Sequence, residues 1–167
     1  MRLAVELESL DLLTCRQGLL IPETLAGTGL RHGQRFSAII VGMPKGPIWK
    51  KTSERGDYDA ALAFLSLIYV PTKVKALVRS LRAAPLIERS AKDLLRASDL
   101  PLLAADERSV KGDLKKISKG KPLEPVLLVA GDMSKGIPLV VADGYHRICA
   151  IYHYDEDAPV MCRMANS

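Results

Sequence analysis

The sequence predicts an α/β (α+β) fold, in which a small sheet and its covering helices are preceded by amphipathic helices. Three observations carry that prediction. Residues 57–98 repeat apolar side chains at helical spacing. Short apolar runs, Pro125 to Val129, Ile137 to Ala142 and Pro159 to Arg163, have the length and composition of strands. Finally, Asp143-Gly144 breaks the second run, and a helical pattern starts directly after it.

In chain order, residues 1–56 are the least patterned part. Leu3 to Leu13 reads as a strand or a short helix, Arg35 to Gly42 as a strand, and Met43 to Pro47 as a turn. Asp57 is placed to cap a helix from Tyr58 to about Tyr69, and Pro71 ends it or marks a boundary. Val74, Leu77, Val78 and Leu81 share one face of the next helix, Lys73 to Arg82. Pro85 opens another, with Ile87, Ala91, Leu94 and Leu95 on one side and Glu88, Arg89, Lys92 and Asp93 on the other. From Pro101 the expected order is β, α, β, β, α, β. Leu102 and Leu103 start a short strand, and Asp106 to Ser109 is a capping stretch. Val110, Leu114 and Ile117 mark a helix that stops at Gly120. Strands follow at 125–129 and 137–142, then a helix from His146 to about Tyr154 and an edge strand at 159–163. This divides the chain into an N-terminal segment (1–56), a helical region (57–100) and a C-terminal domain (101–167).

Composition bounds the function classes. Of the 167 residues, 48% are apolar and 26% charged, the values of a folded rather than a disordered chain. Aromatics are 5%, so the core rests on Leu, Val, Ile and Ala. The formal charge of +5 is compatible with a nucleotide or nucleic-acid partner without specifying one. Cys15, Cys149 and Cys162 form no CxxC pair, which argues against zinc and for reduced thiols in a cytoplasm. The apolar run Ala60 to Val70 is too short for a bilayer, which needs about 20 residues, and no signal-peptide pattern opens the chain. The expectation is a cytoplasmic protein with no membrane partner.

The turn Asp143-Gly144-Tyr145-His146-Arg147 concentrates the chemistry. Glycine permits a bend and close approach to the main chain. The first amides of the following helix lack partners and favour an anion. Arg147 brings a two-pronged donor and His146 one or two hydrogen bonds. Asp143 is placed to cap the helix or to hold His146 or Arg147. The alternative is an ordinary strand-to-helix turn, with aspartate as cap and arginine in a salt bridge. No metal site is expected: His146 and His153 are two turns apart, about 10.5 Å, and Asp155-Glu156-Asp157 reads better as an acidic turn than as a magnesium site. Tyr145, Tyr152 and Tyr154 fit packing better than base stacking. Trp49, beside Lys50 and Lys51, is an isolated candidate for a nucleic-acid contact.

Across about 101–164 the chain resembles the ParB/sulfiredoxin superfamily. Ile117 to Gly120 matches its "I..G", and Pro125-Val126-Leu127-Leu128-Val129 its proline-led strand. Val141-Ala142-Asp143-Gly144-Tyr145-His146-Arg147 matches its turn, and Ala150 with Ala158-Pro159-Val160 its closing elements. The resemblance implies a small mixed sheet and a phosphate at the turn, bound by Asp143, Gly144, Tyr145, His146 and Arg147. It implies a nucleotide (ATP, ADP or CTP), with Mg2+ where one binds, or a phosphorylated small molecule. Family activities include CTP-linked DNA partitioning, ATP-dependent repair of over-oxidised cysteine, an ADP-using serine kinase, and nucleases. Tyr145 stands where sulfiredoxin has its reactive cysteine, and Cys149 reads as core, so repair chemistry is not expected. No long arginine-rich box or helix-turn-helix follows the turn, so partitioning is not expected either. In the kinase-like branch an acid before the first domain helix acts as base, a place that Asp106 and Glu107 share. Either could equally be a helix cap. The expected function is phosphate or nucleotide binding, in the manner of a small-molecule kinase or phosphohydrolase. The alternatives are a non-catalytic interaction protein dimerising through the 57–98 helices, and a DNA-binding or nuclease-type protein.

Overall fold

A computed structural model describes residues 46–166. Its elements, in order, are α1 (Arg55–Leu65), α2 (Pro71–Ala83), β1 (Ile87–Ser90), α3 (Ala91–Ser98), α4 (Arg108–Ser118), β2 (Val126–Val129), β3 (Val140–Asp143), α5 (Tyr145–Tyr154) and β4 (Pro159–Ala165). This is an α+β fold built on a four-stranded mixed sheet of order β1-β4-β2-β3. β2 runs parallel to β4 and antiparallel to β3, and β1 closes the other edge antiparallel to β4.

The unbroken apolar run of β2 follows from its place. Val126 and Leu128 enter a core with α3, α4 and α5, while Leu127 and Val129 enter a second core with α1 and α2. All four are fully buried, so no position of this strand tolerates a polar side chain. The helices therefore cover both faces of one sheet, and residues 57–100 lie in the same compact unit as the strands after 101.

Three expectations change in the structure. Ile87–Ser90 is an edge strand, not the start of a helix. Ser90 caps α3, its hydroxyl accepting from the Asp93 amide, so the helical face begins only at Ala91. Leu102 and Leu103 form no strand; they run in a loop along α5, with Leu102 largely exposed. β4 is an interior strand rather than an edge, because β1 supplies the outer neighbour. Helix starts shift less. Glu54 caps α1, and Asp57, three residues in, accepts from the Glu54 amide at 2.7 Å. Pro71 marks the boundary between the two helices, opening α2 at its first position, as suits a residue with no amide hydrogen to leave unpaired. The expectations for Leu3 to Leu13, for Arg35 to Gly42 and for most of the 43–47 turn, like Cys15, lie outside the described residues. Among the described residues no helix is long and apolar enough to cross a membrane.

Candidate phosphate-binding site

The turn lies where β3 passes into α5. Gly144 has φ +97°, and a side chain there would press its Cβ to 2.9 Å from the Val126 methyl Cγ2. Backbone conformation and space thus both require glycine. The bend starts α5 at Tyr145 with Gly144 as its cap. Ile148 donates back to the Gly144 carbonyl at 3.1 Å. Among the described residues, no side chain accepts from the amides of Tyr145, His146 or Arg147.

Arg147 does not face outward. It is buried. Nη1 donates to the Glu124 carbonyl at 2.8 Å and to that of Pro125 at 3.2 Å, while Nη2 pairs with Asp57 at 3.2 Å and with Asp143. One guanidinium thereby ties α1, the end of β3, the approach to β2 and α5 together. Burial is the main reason that the Asp143 carboxyl lies above its ordinary pKa. Arg147 opposes that rise, and the nearby Asp57 adds to it. The expectation of Arg147 as a free phosphate fork meets a donor already committed to four oxygens. Asp143, likewise, holds Arg147 and does not cap the helix.

His146, one residue earlier, turns the other way and is about half exposed, with its Nε2 4.0 Å from Glu107 Oε2. Glu107 caps α4, its Oε2 accepting from the amides of Ser109 and Val110 at 2.9 Å each. The Val110 amide is the chief cause holding the Glu107 carboxyl below its ordinary pKa, with Ser109 and His146 adding to it. A carboxylate so stabilised is a weak base and a good anchor for an imidazole. The structure thus brings together two residues that the sequence reading placed in separate roles. Asp106 is exposed, and among the described residues its side chain makes no hydrogen bond.

Tyr145 Oη donates to the Pro101 carbonyl, and His153 Nε2 to that of Leu103 at 2.7 Å, so both pin the 101–105 loop to α5. Cys149 and Cys162 are buried. Burial pushes both thiols up, Cys162 to about 11, so neither is a nucleophile. Trp49 pairs with Leu123 and packs on the core, and Lys50 is bound by Glu54 and Glu124. That leaves neither of them free for a nucleic acid. Asp155 and Asp157 serve the turn after α5, Asp157 pairing with Lys92. Among the described residues no group of three or more His, Cys, Asp or Glu is placed to hold a metal. Two open cavities, about 530 and 700 Å³, lie at the C-terminal end of α3 around Arg96 and Asp99. Neither is lined by a residue of the 143–147 turn.

The sequence reading missed Asp57 as a partner of Arg147, because 90 residues separate them. The four-residue spacing of Asp143 and Arg147 was the only local signal of the knot. Comparison of the chain with known protein families, with curated proteins and with solved structures returns no match.

Proposed function

We propose that the N-terminus of α5 binds a phosphate group of a nucleotide or a phosphorylated small molecule, as the ParB/sulfiredoxin resemblance implies. The observation that carries this reading is the α5 terminus itself. It is bent by a glycine, it has no side-chain acceptor among the described residues, and it is flanked by a half-exposed imidazole whose Nε2 lies 4.0 Å from Glu107. The amides of Tyr145 and His146 and the ring of His146 are the donors. Arg147 supports the turn from inside and makes no contact with the ligand.

Calorimetry with ATP, ADP and CTP, with and without magnesium, tests the reading in the native chain and in His146→Ala. Binding that falls about tenfold or more in the variant supports it. Unchanged binding places the ligand elsewhere, and no binding to the native chain refutes a nucleotide ligand. A turnover assay with the same nucleotides separates binding from kinase or phosphohydrolase chemistry. In that chemistry Asp106, not the capped Glu107, is the carboxylate left available to accept a proton.

A second reading, self-association without catalysis, draws on the corner between α1 and α2. Leu67 is 82% and Val70 64% exposed there, with Leu62 and Ile68 also outside the core. Light scattering on the native chain and on Leu67→Ser distinguishes a dimer built on this corner from a monomer.

A further inference from the structure

The knot behind the turn holds two acids and one base. Asp57 Oδ1 and Asp143 Oδ2 both accept from the same nitrogen, Nη2 of Arg147, while Nη1 is occupied by the carbonyls of Glu124 and Pro125. The side chains of Asp57, Asp143 and Arg147 are only 13%, 19% and 9% exposed. With both carboxyls ionised, the knot carries one uncompensated negative charge largely out of water. Carboxyls that share a partner this closely titrate as a pair, and the second ionisation is the unfavourable one.

Hydrogen bonding decides which carboxyl keeps the proton. Asp57 is supported at both oxygens: Oδ2 accepts from the Glu54 amide at 2.7 Å and Oδ1 from Arg147. Among the described residues, Asp143 accepts from Arg147 alone. Bonds donated to a carboxylate favour its ionised form, so the proton goes to Asp143, whose pKa burial raises. The charges on the elements packed around the pair are engaged elsewhere. Glu54 and Glu124 hold Lys50, Glu107 caps α4 beside His146, and Arg82 of α2 lies over the Tyr58 ring. Arg163 of β4 donates to the carbonyls of Ala84 and Lys51. Among the described residues, then, Arg147 is the one cation paired with Asp57 and Asp143.

Asp143 directly precedes Gly144, the cap of α5. Its charge therefore acts at the helix end where an anion on the Tyr145 and His146 amides would sit. We infer that Asp57 and Asp143 form a proton-linked switch on that site: the pair takes up one proton, held by Asp143, and a phosphate binds more tightly to the protonated form. The inference rests on the phosphate reading of the α5 terminus. When both acids are ionised, Arg147 cancels only one of them, and the remainder repels an anion. Uptake of the proton leaves the knot neutral. By linkage, a bound phosphate raises the Asp143 pKa in turn. The Asp143 pKa lies above its ordinary value of 3.8 in the folded chain, so affinity is highest at the acid end and falls as pH rises through that folded value. The expected coupling is about fivefold, the low end for linked sites.

Carbon-13 NMR of the carboxyl groups in the full, ligand-free chain reads the proton directly. Asp143 should titrate above the ordinary aspartate value, and the amides of Tyr145 and His146 should shift with the same midpoint. In Asp57→Asn one acid faces one base, and the Asp143 midpoint should drop below the ordinary value. ADP affinity is then measured by calorimetry from about pH 4.5 to 8 in the native chain and in Asp143→Asn, which is neutral at every pH. The ratio of the two dissociation constants cancels the protonation of ADP itself. It should fall toward one at the acid end and reach about fivefold weaker native binding at the alkaline end. Asp57→Asn, whose knot is neutral in the same way, should match Asp143→Asn at the alkaline end and serves where that variant does not fold. A native Asp143 midpoint at or below the ordinary value, or a ratio that stays constant with pH, overturns the switch and leaves the phosphate site standing. Absence of ADP binding at every pH, in the native chain and in both variants, overturns the site and the switch together.

Discussion

His146 and Arg147 are neighbours on the first turn of α5 and face opposite fates. Arg147 points into the sheet and is surrounded by two carboxylates and two carbonyls. His146 points out, its Nε2 4.0 Å from the capped carboxylate of Glu107. The difference teaches that one short motif can send neighbouring side chains to opposite sides of the fold. The inner residue fixes the bend, and the outer one, beside amides that no described side chain caps, is where the proposed ligand would bind. A family-like arginine in a family-like place is therefore no evidence, by its identity, of ligand contact.

The largest effect is expected at the inner residue. Arg147→Ala leaves Asp57 and Asp143 facing each other without their cation and two buried carbonyls without a donor. Denaturant titration should show a loss of about 3–5 kcal/mol. A loss under about 1 kcal/mol would mean that the knot is solvated and that Arg147 is available to ligands after all. Gly144→Ala comes next. A positive φ and the contact with Val126 should destabilise the fold by about 1–3 kcal/mol, measured the same way.

At the outer residue the expected effect on stability is small. His146→Ala should change it by less than about 0.5 kcal/mol while removing most of the nucleotide affinity. Comparable losses of stability in His146→Ala and Arg147→Ala would erase the distinction between the two flanks. Glu107→Gln sharpens it by pH. The Glu107 pKa is lowered by folding, so its contribution is present above the ordinary value near 4.5 and is lost as pH falls through the folded value. Thermal melts from pH 6 to about 3 should show a shallower acid decline in Glu107→Gln than in the native chain.

Much of this was readable from residue order. The helices on either side of Pro71, the apolar β2 and the turn at Gly144 are local patterns, and each formed close to where composition placed it. What escaped was set by distant neighbours. Ile87 to Ser90 is only four residues long and only partly buried at its two ends, so its pattern is indistinguishable from the start of a helix until β4 lies beside it. β4 itself looked like an edge because nothing in its sequence announces that strand. The donors and acceptors at the turn were legible as residue types, but their direction was not. Whether an arginine after a glycine bend points in or out depends on Asp57, which only the docking of α1 brings near. In the same way, Glu107 read as a base or a cap, and only the folded helix shows its carboxylate capping α4.

Amide resonances report the central claim most directly. In a nitrogen-15 NMR titration of the native chain with ADP or ATP, the account expects the largest shifts at the backbone amides of Tyr145 and His146. The Arg147 side-chain signals should stay in place. Saturating ligand that leaves those two amides unmoved, or that shifts the Arg147 guanidinium first, would contradict it.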